Sequence, residues 1–169
     1  FTISATELNA KLIALAKVMN SKVALPIYST FLLELKDGVL RITASDMDCS
    51  RCSTLPVIDM DGANGHSESI CVTASFLLDS LKNLGDQPVT FEADEENLSV
   101  VIRYNNGQFD MVGFPAKDYV LPGTMEKNVK ATIEASVLND SIGKSLYAVG
   151  NDDLRPIFSG CLLYTSPSP

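Results

Sequence analysis

Three short segments of this chain share one pattern. They are F-T-I-S-A-T-E-L at 1–8, I-C-V-T-A-S-F-L at 70–77 and A-T-I-E-A-S-V-L at 131–138. Each reads as an alternating strand that runs directly into a helix. The first and third copies share Thr, Ile, Ala and Leu in register, and Thr6 faces Ser136. A chain built this way stacks like units side by side. Residues 1 to about 120 are therefore expected to form two β-α-β-β-β units with both helices on one face of the sheets, and the copy at 131 opens a further unit of the same kind.

The intervening sequence fits that order. Ser4 and Glu7 form a capping box, and Leu8, Leu12, Leu15 and Met19 follow at helical spacing, so a helix is predicted over 5–20. Strands are predicted at Tyr28–Leu35 and Val39–Ala44 around the turn Lys36-Asp37-Gly38, then at Ser50–Ile58 and Glu68–Val72. A second helix spans 74–84, with Leu77, Leu81 and Leu84 on one side and Gly85 placed to end it. Strands at Val89–Ala93, Leu98–Tyr104 and Gln108–Val112 are joined by Asp94-Glu95-Glu96-Asn97 and by the hairpin signal Asn105-Asn106-Gly107. Phe114–Met125 reads as a linker, Val129–Glu134 as a strand and Ala135–Ala148 as a third helix.

The length of 169 residues suits one domain plus part of another. With 46% hydrophobic and 20% charged residues, the composition excludes disorder as the main state. No apolar run reaches the roughly 18 residues that cross a bilayer, so no membrane span is expected. No secretion signal is visible, although the chain starts at Phe1 rather than Met. Cys49 and Cys52 form a C-x-x-C pair that could be half a zinc site with Cys71, Cys161 or His66. On a strand those two positions face opposite ways, so reduced, partly buried thiols are expected instead and no metal is assigned. A lone His and the lack of nucleophile-elbow, phosphate-loop or clustered-carboxylate motifs argue against an enzyme, and no cofactor is expected. Asp46 and Asp48 would share a strand face as a conceivable metal pair, but solvated turn residues account for them, as they do for Asp94-Glu95-Glu96. The other competing class is an α+β ligand-binding or adhesion module with no role on DNA.

Charge is unevenly placed. The formal net charge is −8. Segments 5–22, 74–84 and 135–148 hold five basic and three acidic residues, a net of +2, and the remainder holds eight basic and eighteen acidic residues, a net of −10. Lys17, Lys82 and Lys144 each lie at least about 135° from the apolar stripe of their helix. They are expected to point away from the sheets and to make the helical side mildly basic.

These residues resemble the bacterial sliding clamp family, the beta subunit of DNA polymerase III. The resemblance rests on F-T-I-S running into a helix and on L-P-I-Y-S-T-F-L-L-E-L-K-D-G-V-L-R-I-T-A-S-D-M-D at 25–48. It extends to the helix T-A-S-F-L-L-D-S-L-K-N-L, the segment F-P-A-K-D-Y-V-L-P and D-D-L-R-P-I-F-S-G at 152–160. It implies a DNA-clamp fold of three similar domains per subunit. Two subunits close head to tail around double-stranded DNA, helices inside and sheets outside. A clamp loader and DNA polymerases engage the ring through short linear peptides. Under this resemblance, 1–120 is a complete first domain, 121–128 a linker and 129–160 the start of a second domain. The protein it implies is non-catalytic and cytoplasmic. Residues 161–169 depart from the family and read as a non-native tail, and Tyr164–Pro169 is expected to add no packed structure.

The resemblance also assigns roles. Lys22 falls where the family has a basic DNA contact. Arg155 falls on an arginine near both DNA and the peptide pocket, and Phe158 edges that pocket. Ser75 occupies a position basic in some members, and Asn151 and Asp152 sit in a loop that reaches DNA. Pro156 and Ile157 replace aromatic residues of some members. Lys17, Lys82 and Lys144 join this DNA-contacting set through the charge pattern. The subunit interface is expected along the strand near Asn106 to Val112, through Asn106, Gln108, Phe109 and Met111, together with the adjoining second helix.

Overall fold

The computed structural model describes residues 1–19, 25–59, 68–123, 131–150 and 155–163. The chain divides into two compact units, Phe1–Thr124 and Met125–Pro169.

The first unit contains the predicted order twice. Its first half is β1 (Thr2–Ser4), α1 (Ala5–Ala16), β2 (Thr30–Lys36), β3 (Val39–Ser45) and β4 (Ser50–Pro56). Its second half is β5 (Glu68–Thr73), α2 (Ala74–Leu81), β6 (Pro88–Asp94), β7 (Ser99–Tyr104) and β8 (Gly107–Val112), followed by the short β9 (Phe114–Pro115). The fold is α+β, and every strand pair among the described residues is antiparallel.

The halves are not two separate sheets. One sheet has the order β1-β6-β7-β8 and the other β4-β3-β2-β5-β9. Each half therefore gives its first strand to the other half: Ile3 lies opposite Val89, and Val72 opposite Phe31. On its other side each first strand meets the tail of its own half. The Thr2 N–H donates to the Asp59 carbonyl at 2.9 Å and the Thr2 carbonyl accepts from the Ile58 N–H at 2.7 Å, while β5 pairs with β9 through Ile70 and Pro115.

Period-2 patterning directs what is buried. Phe31, Leu33 and Leu35 of β2 share one core with Leu40 and Ile42 of β3, with Val89 and Phe91 of β6, and with both helices. Leu8, Leu12 and Leu15 of α1 and Leu77 and Leu81 of α2 supply the helical side. Each such leucine contributes about 1.5–3 kcal/mol through burial. On the opposite face of β2, Leu32 packs with Cys71, Tyr28 and Tyr119 in a smaller cluster. Tyr28 and Tyr119 meet edge to face at 5.7 Å, and the Tyr28 hydroxyl donates to the Val120 carbonyl at 2.9 Å.

Several boundaries differ from the sequence reading. Pro26–Ser29 is a 3-10 turn, so β2 starts at Thr30 rather than Tyr28. The helix predicted to reach residue 20 stops at Ala16: the Val18 and Met19 N–H groups go to the Leu15 and Ala16 carbonyls, tightening the end. The Ser4 hydroxyl caps α1 by accepting from the Glu7 N–H at 3.4 Å. The Lys36–Val39 hairpin has Asp37 and Gly38 at φ of 50° and 77°, the two left-handed residues a type I′ turn needs. The Asn105-Asn106 hairpin also forms, between Tyr104 and Gly107, but neither asparagine has positive φ. Gly113 is obligatory for a steric reason: a Cβ there would lie 2.8 Å from the Cys71 carbonyl oxygen.

In the second unit, α3 (Ala135–Ser145) is followed by a 3-10 turn at Leu146–Ala148, which shortens the helix predicted to run to 148. Residues 131–134 of the predicted strand are not in a strand. A strand needs a ladder partner, and β1 has one in β6, whereas 131–134 has none among the described residues. Val137 and Leu146 are correspondingly 55% and 62% exposed. The tail Tyr164–Pro169 lies outside the described residues.

Leu12 is 0% exposed and its neighbour Ile13 is 51% exposed. Leu12→Ala is expected to cost about 2–5 kcal/mol of unfolding free energy. Ile13→Ala should stay within about 0.5 kcal/mol. Urea denaturation of both variants checks the contrast.

Candidate nucleic-acid interface

Three exposed lysines lie at helix ends. Lys17 is the C-cap of α1, Lys82 is the C-cap of α2, and Lys144 lies in the last turn of α3. All three are exposed, as is Ser75 in the first turn of α2. A helix C-terminus carries about half a negative charge, which a lysine there offsets. This local role accounts for the position of the lysines along each helix. Asp79 and Asp140 stand one turn before Lys82 and Lys144, yet none of the three lysines is in an ion pair among the described residues.

The described residues contain two ion pairs, and both lie on strands. Arg41 meets Glu34 across β3 and β2 at 3.7 Å, and Arg103 meets Glu92 across β7 and β6 at 2.8 Å. The Arg103 guanidinium, through its hydrogen bonds, holds the Glu92 carboxyl below its ordinary range. It also donates to Gln108 Oε1 at 2.6 Å. Lys11, Lys17, Lys82 and Lys144 take part in neither pair. Strand-borne charge is thus partly neutralised in place, and helix-borne charge stays available.

Arg51 is a functional candidate that the sequence reading does not single out. It lies on β4 opposite the buried Ala44 of β3, hence on the core-and-helix side of that sheet, and Nη1 donates to the Ala14 carbonyl of α1 at 2.9 Å. Its alternation with Leu55 is the signal that gives its face. Its place on a strand instead groups it with segments whose net charge is acidic.

In the second unit, the Arg155 guanidinium stands 5.7 Å from the centre of the Phe158 ring. The two belong to the 3-10 turn Pro156–Ser159 and its N-cap, where the Phe158 N–H bonds the Arg155 carbonyl at 3.0 Å. Phe158 is 57% exposed. The structure thus brings these two expected residues together. Lys22, Asn151 and Asp152 lie outside the described residues.

β8 is a sheet edge, with β7 on one side and no ladder partner among the described residues on the other. Asn106 sits in its turn, and Gln108, Phe109 and Met111 lie along the strand. Phe109 and Met111 point inward and are half-buried, and Gln108 points outward with Asp110, to which it donates at 3.0 Å. Phe109 stacks on Tyr104 at 4.9 Å and meets Phe76 of α2 edge to face at 6.5 Å. An open groove runs between α2 and β8, lined by Phe76, Asn83, Leu84, Tyr104 and Phe109.

Of the two conceivable metal positions, the aspartates are the expected turn residues and the cysteines differ from the sequence reading. Asp46 and Asp48 do not share a strand face: they lie in the β3–β4 turn, where Asp46 Oδ1 accepts the Cys49 N–H at 2.8 Å. Cys49 precedes β4 rather than lying in it, and Cys49, Cys52 and Cys161 are exposed rather than partly buried. Cys71 is the buried thiol, and burial raises its pKa to about 11. His66 lies outside the described residues.

Residues 1–122 match the family described as the DNA polymerase III beta subunit, N-terminal domain. The chain is similar to the beta sliding clamp of Bacillus subtilis, 26% identical over 163 residues, covering 95% of this chain and 43% of that protein. It is likewise similar to the beta sliding clamp of Vibrio cholerae, 25% identical over 165 residues, covering 96% of this chain and 43% of that one. Its fold is that of the crystal structure of the DNA polymerase III subunit beta from Pseudomonas aeruginosa, with a TM-score of 0.84 at 23% identity over 95% of this chain and 42% of that one. The chain therefore spans less than half the length of the relatives it matches.

Two measurements check this description. Lys17→Glu places a like charge at the α1 C-terminus and should lower stability by up to about 1 kcal/mol at low salt, with the loss shrinking in roughly 1 M salt. Thermal melts at the two salt levels read it. Under native conditions a thiol reagent should titrate Cys49, Cys52 and Cys161, and reach Cys71 only on unfolding. Because folding raises the Cys71 pKa from 9.0 to about 11, its contribution to stability is full below pH 9.0 and is lost as the pH rises toward about 11. Cys71→Ser should flatten that alkaline decline.

Proposed function

The chain belongs to the DNA polymerase III beta subunit family, and from that membership we propose that it is the opening part of a sliding clamp. In this reading residues 1–120 are the first clamp domain, 121–128 the linker and 129–160 the beginning of the second. The complete protein would hold three such domains per subunit, and two subunits would close head to tail around duplex DNA. It would tether the replicative polymerase and carry no catalytic site of its own. Its setting would be the cytoplasm.

The observation that carries the reading is the separation of paired from unpaired charge. Arg41 and Arg103 are bound to carboxylates on strands, while Lys17, Lys82 and Lys144 stand at helix ends outside either pair. A protein that slides should touch phosphates without reading base edges, because base contacts would fix a register. A few lysines of this kind meet that need, and an acidic strand surface keeps DNA off the outer side. Lys22, Ser75, Asn151 and Arg155 would add to the DNA-facing set. The β8 edge offers unpaired backbone groups beside the Phe76–Phe109 groove, which suits strand-to-strand docking of a second subunit through Asn106, Gln108, Phe109 and Met111. Arg155 and Phe158 would edge the pocket for linear peptides of polymerases and the loader.

The test is a salt titration of the complete protein on two unrelated duplexes. Lys22→Ala should weaken binding about equally on both and reduce the salt slope by roughly one unit. A loss confined to one sequence, or an unchanged slope, would remove Lys22 from the sliding contacts.

A further inference from the structure

We propose that Arg51 is a phosphate-contacting residue, anchored at the C-terminal end of α1 so that it and Lys17 present one cationic patch to duplex DNA. This rests on the duplex-binding reading above.

The strand register fixes which way Arg51 faces. It pairs with Ala44, as Ser53 pairs with Ile42 and Leu55 with Leu40. Ala44, Ile42 and Leu40 are at most 1% exposed in the core that carries both helices. Arg41 has the other parity: it pairs with Thr54, points to the far side and is held by Glu34. Arg51 is thus a strand-borne cation directed to the helical side, at the outer strand of its sheet.

The end of α1 explains the anchor. In a continuing helix the Val18 N–H would bond the Ala14 carbonyl. Here it bonds the Leu15 carbonyl at 3.1 Å instead, and Arg51 Nη1 donates to the Ala14 carbonyl at 2.9 Å. A helix C-terminus by itself repels phosphate, since its carbonyls carry partial negative charge. Arg51 bound to one of those carbonyls, with Lys17 at the cap, offsets that partial negative charge. A guanidinium has five N–H donors, and the Ala14 bond uses one. The side chain is exposed and belongs to neither ion pair, so its remaining donors face solvent in a fork suited to a phosphate. Anchoring also lowers the rotamer entropy lost when a phosphate binds.

The experiment uses the complete protein and a short fluorescent duplex, with anisotropy read between about 50 and 200 mM salt. Wild type, Arg51→Gln, Arg51→Lys and Lys17→Ala are compared. Arg51→Gln keeps a donor for the Ala14 carbonyl but removes the charge. It is expected to weaken binding severalfold and lower the salt slope by about 0.9. Arg51→Lys should restore the slope. Amide hydrogen exchange at Val18 and Met19 establishes that the end of α1 remains formed. If Arg51→Gln binds like wild type while Lys17→Ala is weakened, Arg51 is a helix cap only and the proposal is overturned, with the duplex reading intact. If wild type shows no salt-dependent binding at all, the duplex reading fails and takes the proposal with it.

Discussion

β1 and β5 each leave their own half of the first unit to pair with a strand of the other half, and the rest of the unit depends on that exchange. Ile3 is buried against Val89, and Ile70 and Val72 against Leu33 and Phe31. Neither half can complete a sheet alone. Because α1 follows β1 and α2 follows β5 without a loop, the exchange also sets the helices. Both are delivered to the same core, where Leu12 and Leu77 are fully buried. The tails at Ile58–Asp59 and Phe114–Pro115 then close the other side of each first strand. Gly113 permits the second closure, since any side chain there would meet the Cys71 carbonyl.

This arrangement sorts charge without a dedicated charged element. Outer strand positions carry cross-strand pairs such as Glu92 with Arg103, whose separation of 2.8 Å is set by the ladder. Helix ends carry single lysines with no ladder opposite them. The same backbone geometry therefore pairs Arg41 and Arg103 with carboxylates on strands and leaves lysines available at helix ends. Arg51 follows the rule through parity: one residue along β4 in either direction would have placed it on the far face, where Arg41 lies.

The sheet edges are a second consequence. One sheet ends in β4 and the short β9 and the other in β8 and β1, with β1 bridged on its outer side by Asp59. β8 has an aromatic neighbourhood, with Phe109 between Tyr104 and Phe76, whereas β4 has Arg51 and Pro56. An edge with unsatisfied backbone groups beside a groove lined by Phe76, Tyr104 and Phe109 favours pairing with another strand. The two edges therefore differ in character although they hold equivalent places in the repeat.

Local pattern is enough to read the repeated strand-to-helix starts, the leucine stripes of both helices and the Asp37-Gly38 turn, because each carries a period or a dihedral demand of its own. It also shows that basic residues favour helical segments. Helix ends are less legible: the stripe through Met19 suggests a longer α1, but a 3-10 shift ends it at Ala16. Residues 131–134 mark the limit of local pattern, since an alternating segment without a ladder partner among the described residues does not become a strand. The partners of β1 and β5, the placement of Arg51 against Ala14 and the aromatic contact between Phe76 and Phe109 come only with the folded chain. Each joins residues far apart in the chain. A period of two states which side chains share a face, but not which strand arrives beside them.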